Sequence, residues 1–150
     1  MSTLAAIRPD DWNLPLFVHV LGAIILVGGI AATASAFALA RGNVGMLRTG
    51  YYSLLAVALP GWIVMRVGAQ WIYDEEGFVG GEEPTWLVIG WLTADPGGAL
   101  LLVSLIAGGV GLRRLGDGKG TGLLRVTMWI SLILLAAYVV SIWAMSAKPD

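Results

Sequence analysis

The sequence predicts an all-α integral membrane protein, a single domain built as a four-helix bundle. Of its 150 residues, 57% are hydrophobic and only 13% are charged, a balance outside the range of soluble globular domains. The apolar residues also fall into four segments, each with the roughly 20 residues that a helix needs to cross a bilayer. Because the connections between them are short, we expect an up-down-up-down arrangement in which consecutive helices are antiparallel neighbours.

Each predicted span has recognisable signals at its ends. Asn13 is the expected N-cap of the first span, Gly42 follows the end of that span, and Pro149 stops the fourth. The residues before the first span are partly charged and have no apolar core, so we do not interpret them as a cleaved signal peptide. The four predicted spans cover residues 15–40, 52–73, 84–112 and 123–147.

The charges of the loops predict the orientation, because basic loops stay on the cytoplasmic side. Both termini are therefore expected outside. The first and third loops hold basic residues, namely Arg41, Arg48, Arg113, Arg114, Lys119 and Arg125. The second loop and the N-terminal tail are acidic through Asp10, Asp11, Asp74, Glu75, Glu76, Glu82 and Glu83. An outer aromatic belt is then predicted at Trp12, Trp71, Tyr73, Trp86 and Trp143.

The third span leaves two structures open. One helix from Pro84 to Arg113 would be about 45 Å long, against a hydrocarbon core of about 30 Å. Inside it, Asp95 stands directly before Pro96, and Asp followed by Pro is a good helix start. The span is therefore either a tilted, kinked helix or a short outer half-helix that ends at Asp95.

His19 is the only histidine, and the chain has no cysteine. In a single copy of the chain, His19 is therefore the only residue that could be a strong nitrogen or sulfur ligand to a metal or haem iron. Gly22 shares its helical face and leaves room for a porphyrin edge or for a neighbouring helix. A histidine in a membrane span can also hydrogen-bond between helices without binding a cofactor.

Two further ionisable residues lie at a similar predicted depth in the outer half of the bilayer. His19 is about 7 Å and Arg66 about 10 Å from the outer ends of their spans, and Asp95 is comparably deep if its span is continuous. Arg66 shares a helical face with Trp62 and Gln70. It either snorkels towards the headgroups or faces inward and pairs with Asp95, with an anionic ligand, or with both. Asp95 has the alternative role of an N-cap. Ionisable residues at this depth indicate a functional site.

Two short patterns resemble a known group of proteins. His19 to Gly29 reads H-x-x-G-x-x-x-x-x-G-G, and Trp143 to Pro149 reads W-x-M-x-x-K-P. They resemble small bacterial four-helix membrane proteins of unknown function, actinobacterial members among them, which are distantly similar to copper-resistance D (CopD-like) membrane domains. The resemblance implies a bacterial inner (plasma) membrane location, and haem b bound through membrane histidines or, in other members, copper. Only His19 matches a candidate ligand, and Leu26 and Val27 replace the usual aliphatic-Trp pair.

The leading hypothesis is a small membrane protein that binds haem b through His19, in electron transfer, haem handling or sensing. The second axial position would be taken by Met65, by Met145 or by a histidine of a second protomer, or it would stay open, and Arg66 could neutralise a propionate. Copper held by His19 and the two methionines is the alternative cofactor. The predicted site comprises His19, Gly22, Trp62, Arg66, Gln70 and Asp95, with Trp71, Trp91 and Tyr138 as further candidate walls.

Two other function classes remain open. An oligomeric transporter or channel without a redox cofactor would use the polar outer cluster and a broken third helix. A structural or assembly subunit would pack through its small-residue faces. The chain shows no nucleophile–base arrangement for hydrolysis, and a formal net charge of -1 gives no basis for a nucleic-acid partner. The expected partners are the lipid bilayer and further copies of the chain.

Overall fold

The computed structural model describes residues 13–76 and 84–147, and nearly all of them are helical. The α-helices are α1 (Asn13–Leu39), α2 (Val44–Ser53), α3 (Leu59–Glu76), α4 (Thr85–Arg114) and α5 (Thr121–Ala147). A π-helical turn at Leu54–Ala58 joins α2 to α3, and a 3-10 turn at Leu115–Asp117 follows α4. The predicted aromatic Trp12 lies outside the described residues, as do Asp10, Asp11, Glu82, Glu83 and Pro149.

Four helical segments of the described chain are long and apolar enough to cross a membrane, as a multi-pass membrane protein requires. This confirms the all-α prediction with four candidate spans. The second segment begins at Val44 rather than near residue 52, because Asn43 caps it there and accepts a hydrogen bond from the backbone N–H of Met46. The preceding turn has positive φ at Arg41 and Gly42, a conformation that glycine adopts readily.

α4 runs without a break through Pro96. Of the two structures left open by the sequence, the chain therefore forms the continuous helix, and Asp95 does not cap a new one. The half-helix that would have favoured a transport site is not formed. Two glycines follow the proline, and the side chains of Tyr138 and Trp62 lie so close to Gly97 and Gly98, respectively, that a methyl group at either glycine would collide.

Glycines bring α1 and the α2–α3 segment into backbone contact. Gly22 lies against the backbone of Met65 and Gly29 against that of Ala58. Residue numbers therefore rise along α1 as they fall along its neighbour. Small residues allow this close approach. In lipid the hydrophobic effect does not drive helices together, and close van der Waals packing stabilises their association instead.

Hydroxyl groups link the helices within each of two pairs. Between α1 and α2, Thr33 donates to the carbonyl of Gly50 over 3.0 Å. Between α4 and α5, the Thr127 hydroxyl donates to the carbonyl of Ser104 over 3.3 Å. All four residues are buried, and interhelical hydrogen bonds of this kind contribute about 0.6 kcal/mol each.

The best-packed core lies near the middle of the bundle. Its fully buried side chains include Leu26, Ile30, Leu54, Leu101 and Leu134. The end of the bundle at which α1 begins and α3 ends, called here the His19 end, is less tightly filled. This leaves a cavity between the two helix pairs.

Candidate functional site

A cavity of about 650 Å³ occupies the His19 end. Side chains from α1, α3, α4 and α5 form its walls, and most of them are apolar. Its volume falls within the range of small-molecule sites, about 300–1,000 Å³. The aromatic part of the lining consists of Tyr73, Trp86, Trp91 and Tyr138.

His19 lines this cavity and is held by a hydrogen bond to a neighbouring helix. Its Nδ1 lies 3.0 Å from the backbone carbonyl oxygen of Met65. Gly68, directly against the His19 backbone, brings α1 and α3 close enough for this contact. Because a carbonyl oxygen can only accept, we assign the proton to Nδ1, which leaves the lone pair on Nε2.

Two methionine side chains share the cavity with His19. Met65 comes from α3 and is buried, while Met145 comes from α5 and packs its methyl group against Gly90. Thioethers are soft ligands for Cu(I) and, paired with histidine, for haem iron. The described residues contain no group of three or more His, Cys, Asp or Glu side chains that could hold a metal. A metal here would therefore depend on His19 and on sulfur.

Tyr138 adds an unsatisfied hydroxyl group to the cavity wall. The residue is buried, and its hydroxyl oxygen has no hydrogen-bond partner among the described residues. Leaving a buried hydroxyl unpaired costs about 1–3 kcal/mol. A ligand or an ordered water with an acceptor atom would remove that cost. The sequence identified Tyr138 only as a candidate wall, because an unpaired hydroxyl is visible only in three dimensions.

Arg66 and Asp95 form an ion pair, which is one of the arrangements that the sequence left open for these two residues. Nε of Arg66 lies 2.8 Å from Oδ1 of Asp95, and the guanidinium lies 4.1 Å from the ring centre of Trp91. Neither charged residue lines the cavity, although Trp91 does. Because Asp95 already neutralises Arg66, the arginine is not positioned as a free partner for a propionate.

A row of hydrogen bonds continues from this pair along α3. Arg66 donates to Gln70 over 3.4 Å, and Gln70 donates to Asp74 over 2.9 Å. Each step covers one helical turn, so the row leads to the end of α3. Gln70 therefore belongs to an exposed polar row and not to the cavity lining.

Trp62 and Gly22 serve helix packing. Trp62 Nε1 donates to the carbonyl of Ala94 over 2.9 Å, and its ring packs on Gly98. Trp62 thus connects α3 to α4. Gly22 faces the backbone of Met65, so the neighbouring helix occupies the space that could have received a porphyrin edge. Of the six predicted site residues, His19 is the one in the cavity lining.

No protein-family model, curated protein or solved structure matches this chain. The resemblance of its opening and closing patterns to CopD-like proteins therefore stays a prediction.

Proposed function

We propose that the protein binds haem b in the cavity at the His19 end, with Nε2 of His19 as an axial ligand of the iron. The observation that carries this proposal is the hydrogen bond from His19 Nδ1 to the Met65 carbonyl oxygen. Histidines that bind metals commonly donate their other ring N–H to a carbonyl or carboxylate, which fixes the tautomer and the ring orientation. His19 has this arrangement in a cavity wall.

The other residues that line the cavity also fit haem b. A mostly apolar cavity with aromatic walls suits a flat porphyrin, and Met65 and Met145 are candidates for the second axial ligand. Bound haem b would supply one-electron redox chemistry or coordination of a small ligand. His19 and the apolar walls would hold the haem, and the Met65 carbonyl oxygen sets the tautomer of the His19 ring. Electron transfer, haem handling and sensing all remain consistent with this role.

The proposed orientation is up-down-up-down in a bacterial plasma membrane, with both termini outside. Two observations support it. Along the α1–α3 contact, residue numbers rise in one helix as they fall in the other. The same holds between α4 and α5, where Gly90 meets Met145 and Gly111 meets Leu124. The exposed basic residues in and beside the α1–α2 and α4–α5 connections lie at the end opposite His19, which the positive-inside rule assigns to the cytoplasmic side. The haem would then lie near the outer surface.

A visible absorption spectrum tests the haem proposal. The protein is purified in detergent from cells supplied with haem, and we expect a Soret band that is lost in His19→Ala and restored by added imidazole. Gln70→Ala is the matched control, because Gln70 is polar and near the same end but outside the cavity. The proposal fails if wild-type protein shows no Soret band after haem addition, or if His19→Ala leaves the band unchanged.

Cu(I) binding is a second candidate, favoured by the presence of His19, Met65 and Met145 in one cavity. One imidazole and two thioethers form a donor set that Cu(I) accepts. Titration with Cu(I) under reducing conditions separates the two candidates. Tight binding that is lost in both Met65→Leu and Met145→Leu, without a Soret band in haem-supplied protein, would favour copper over haem.

A further inference from the structure

The Arg66–Asp95 pair lies on the outer surface of the helix bundle. The Asp95 side chain is 56% exposed and that of Arg66 is 25% exposed. On the same strip of α4, apolar residues are exposed above and below Asp95. This strip, called here the Asp95 strip, consists of Leu92, Asp95, Pro96, Ala99 and Val103.

The position of Asp95 along α4 makes this exposure costly in a membrane. Asp95 is about 15 Å from Thr85, where α4 begins, and Arg66 is about 10 Å from Tyr73, the last residue before the acidic end of α3, at about 1.5 Å per residue. On insertion scales an unpaired acidic side chain costs about 2.5–3.5 kcal/mol at the centre of a membrane helix, and a paired one nearer the end costs less. For this reason ionisable residues in spans usually face protein or a water-filled cavity. Arg66 neutralises Asp95, but the pair leaves the carboxylate more than half exposed beside Leu92, so covering this surface with protein would stabilise it.

We propose that a second copy of this chain covers the Asp95 strip. The surface carries one positive and one negative side chain next to each other, so it is self-complementary. In a dimer with two-fold symmetry the same patch meets itself, and each Asp95 can approach the Arg66 of the other copy. Ala99, small and exposed about one turn after Asp95, allows the close helix approach that membrane interfaces favour. This inference does not depend on what the cavity binds.

Disulfide crosslinking in membranes tests the interface, because the chain has no cysteine of its own. Single cysteines are introduced at Leu92, Ala99 and Val103 on the Asp95 strip, and at Ile133 of α5 as the matched control. Leu92 and Ile133 are similarly exposed, at 66% and 58%. A disulfide forms only when the two Cα atoms come within about 7 Å, so the positions nearest the two-fold axis should react best.

We expect at least one strip position to give several-fold more crosslinked dimer than Ile133→Cys after mild oxidation. Adding Asp95→Asn to the best variant should reduce its crosslinking several-fold. Leu92→Cys leaves the ion pair intact, so the test stands even if Asp95→Asn fails to fold. Crosslinking no greater at any strip position than at Ile133, or a monomer mass for the wild-type chain in lipid nanodiscs, would overturn the proposal.

Discussion

Nδ1 of His19 lies 3.0 Å from the backbone carbonyl oxygen of Met65, which joins the only histidine of the chain to a helix 46 residues further on. The bond has a structural effect and a chemical one. It ties α1 to α3, and it leaves Nε2 as the atom that can bind a ligand. These two effects can be separated experimentally.

His19→Asn should separate the structural effect from ligand binding. The amide nitrogen of asparagine can take the place of Nδ1 and donate to Met65, whereas no ring nitrogen remains to bind iron. We expect thermal unfolding in detergent close to that of wild type, together with loss of the Soret band. His19→Leu should lose both the band and about 0.6 kcal/mol of stability, the usual contribution of an interhelical hydrogen bond. An intact Soret band in His19→Asn would exclude His19 as the ligand.

Tyr138→Phe should raise the stability of the ligand-free protein. The substitution removes a buried hydroxyl without a partner among the described residues and keeps the ring that packs on Gly97. The expected gain in the free energy of unfolding is about 1 kcal/mol, measured by chemical unfolding in mixed micelles. Tyr52→Phe, at an exposed tyrosine, should change little. A loss of stability in Tyr138→Phe would show that the hydroxyl already has a bound water or ligand as its partner.

Gly22→Ala should destabilise the bundle strongly. The added methyl group would collide with the backbone of Met65, so α1 and α3 would have to move apart. Overpacking of this kind costs about 1–3 kcal/mol or more. Gly28→Ala, on the same helix, is the matched control, because its methyl group would meet no atom within 4 Å. Equal unfolding temperatures for the two variants would contradict the backbone contact between α1 and α3.

Removing one member of the Arg66–Asp95 pair should cost more than removing both. Arg66→Leu leaves the Asp95 carboxylate without its cation in a low-dielectric environment, and Asp95→Leu leaves the guanidinium unpaired. The double variant removes both charges, so we expect it to be more stable than either single variant. A double-mutant cycle on unfolding in detergent measures this coupling. Additive losses would mean that the two side chains do not interact energetically.

Much of the fold follows from local properties of the sequence. The four spans and most of their ends could be predicted, because span length and apolar composition are local. The start of the second span was predicted too late, since it depends on the Asn43 cap in a stretch that is too polar for a hydropathy criterion. His19, Arg66 and Asp95 could be placed at a similar depth by the helical rise alone.

The sequence by itself determined the number of candidate spans, their approximate limits and the similar level of His19, Arg66 and Asp95 along the helices. Only the tertiary structure decided which face of each helix meets which neighbour: Gly22 meets Met65, Trp62 meets α4, and His19 meets the cavity. The physical reason is that both the lipid-facing and the inward-facing sides of these helices are apolar, so hydropathy cannot indicate their rotation. The rotations follow instead from close packing at glycines and from the few polar groups that must find partners between helices.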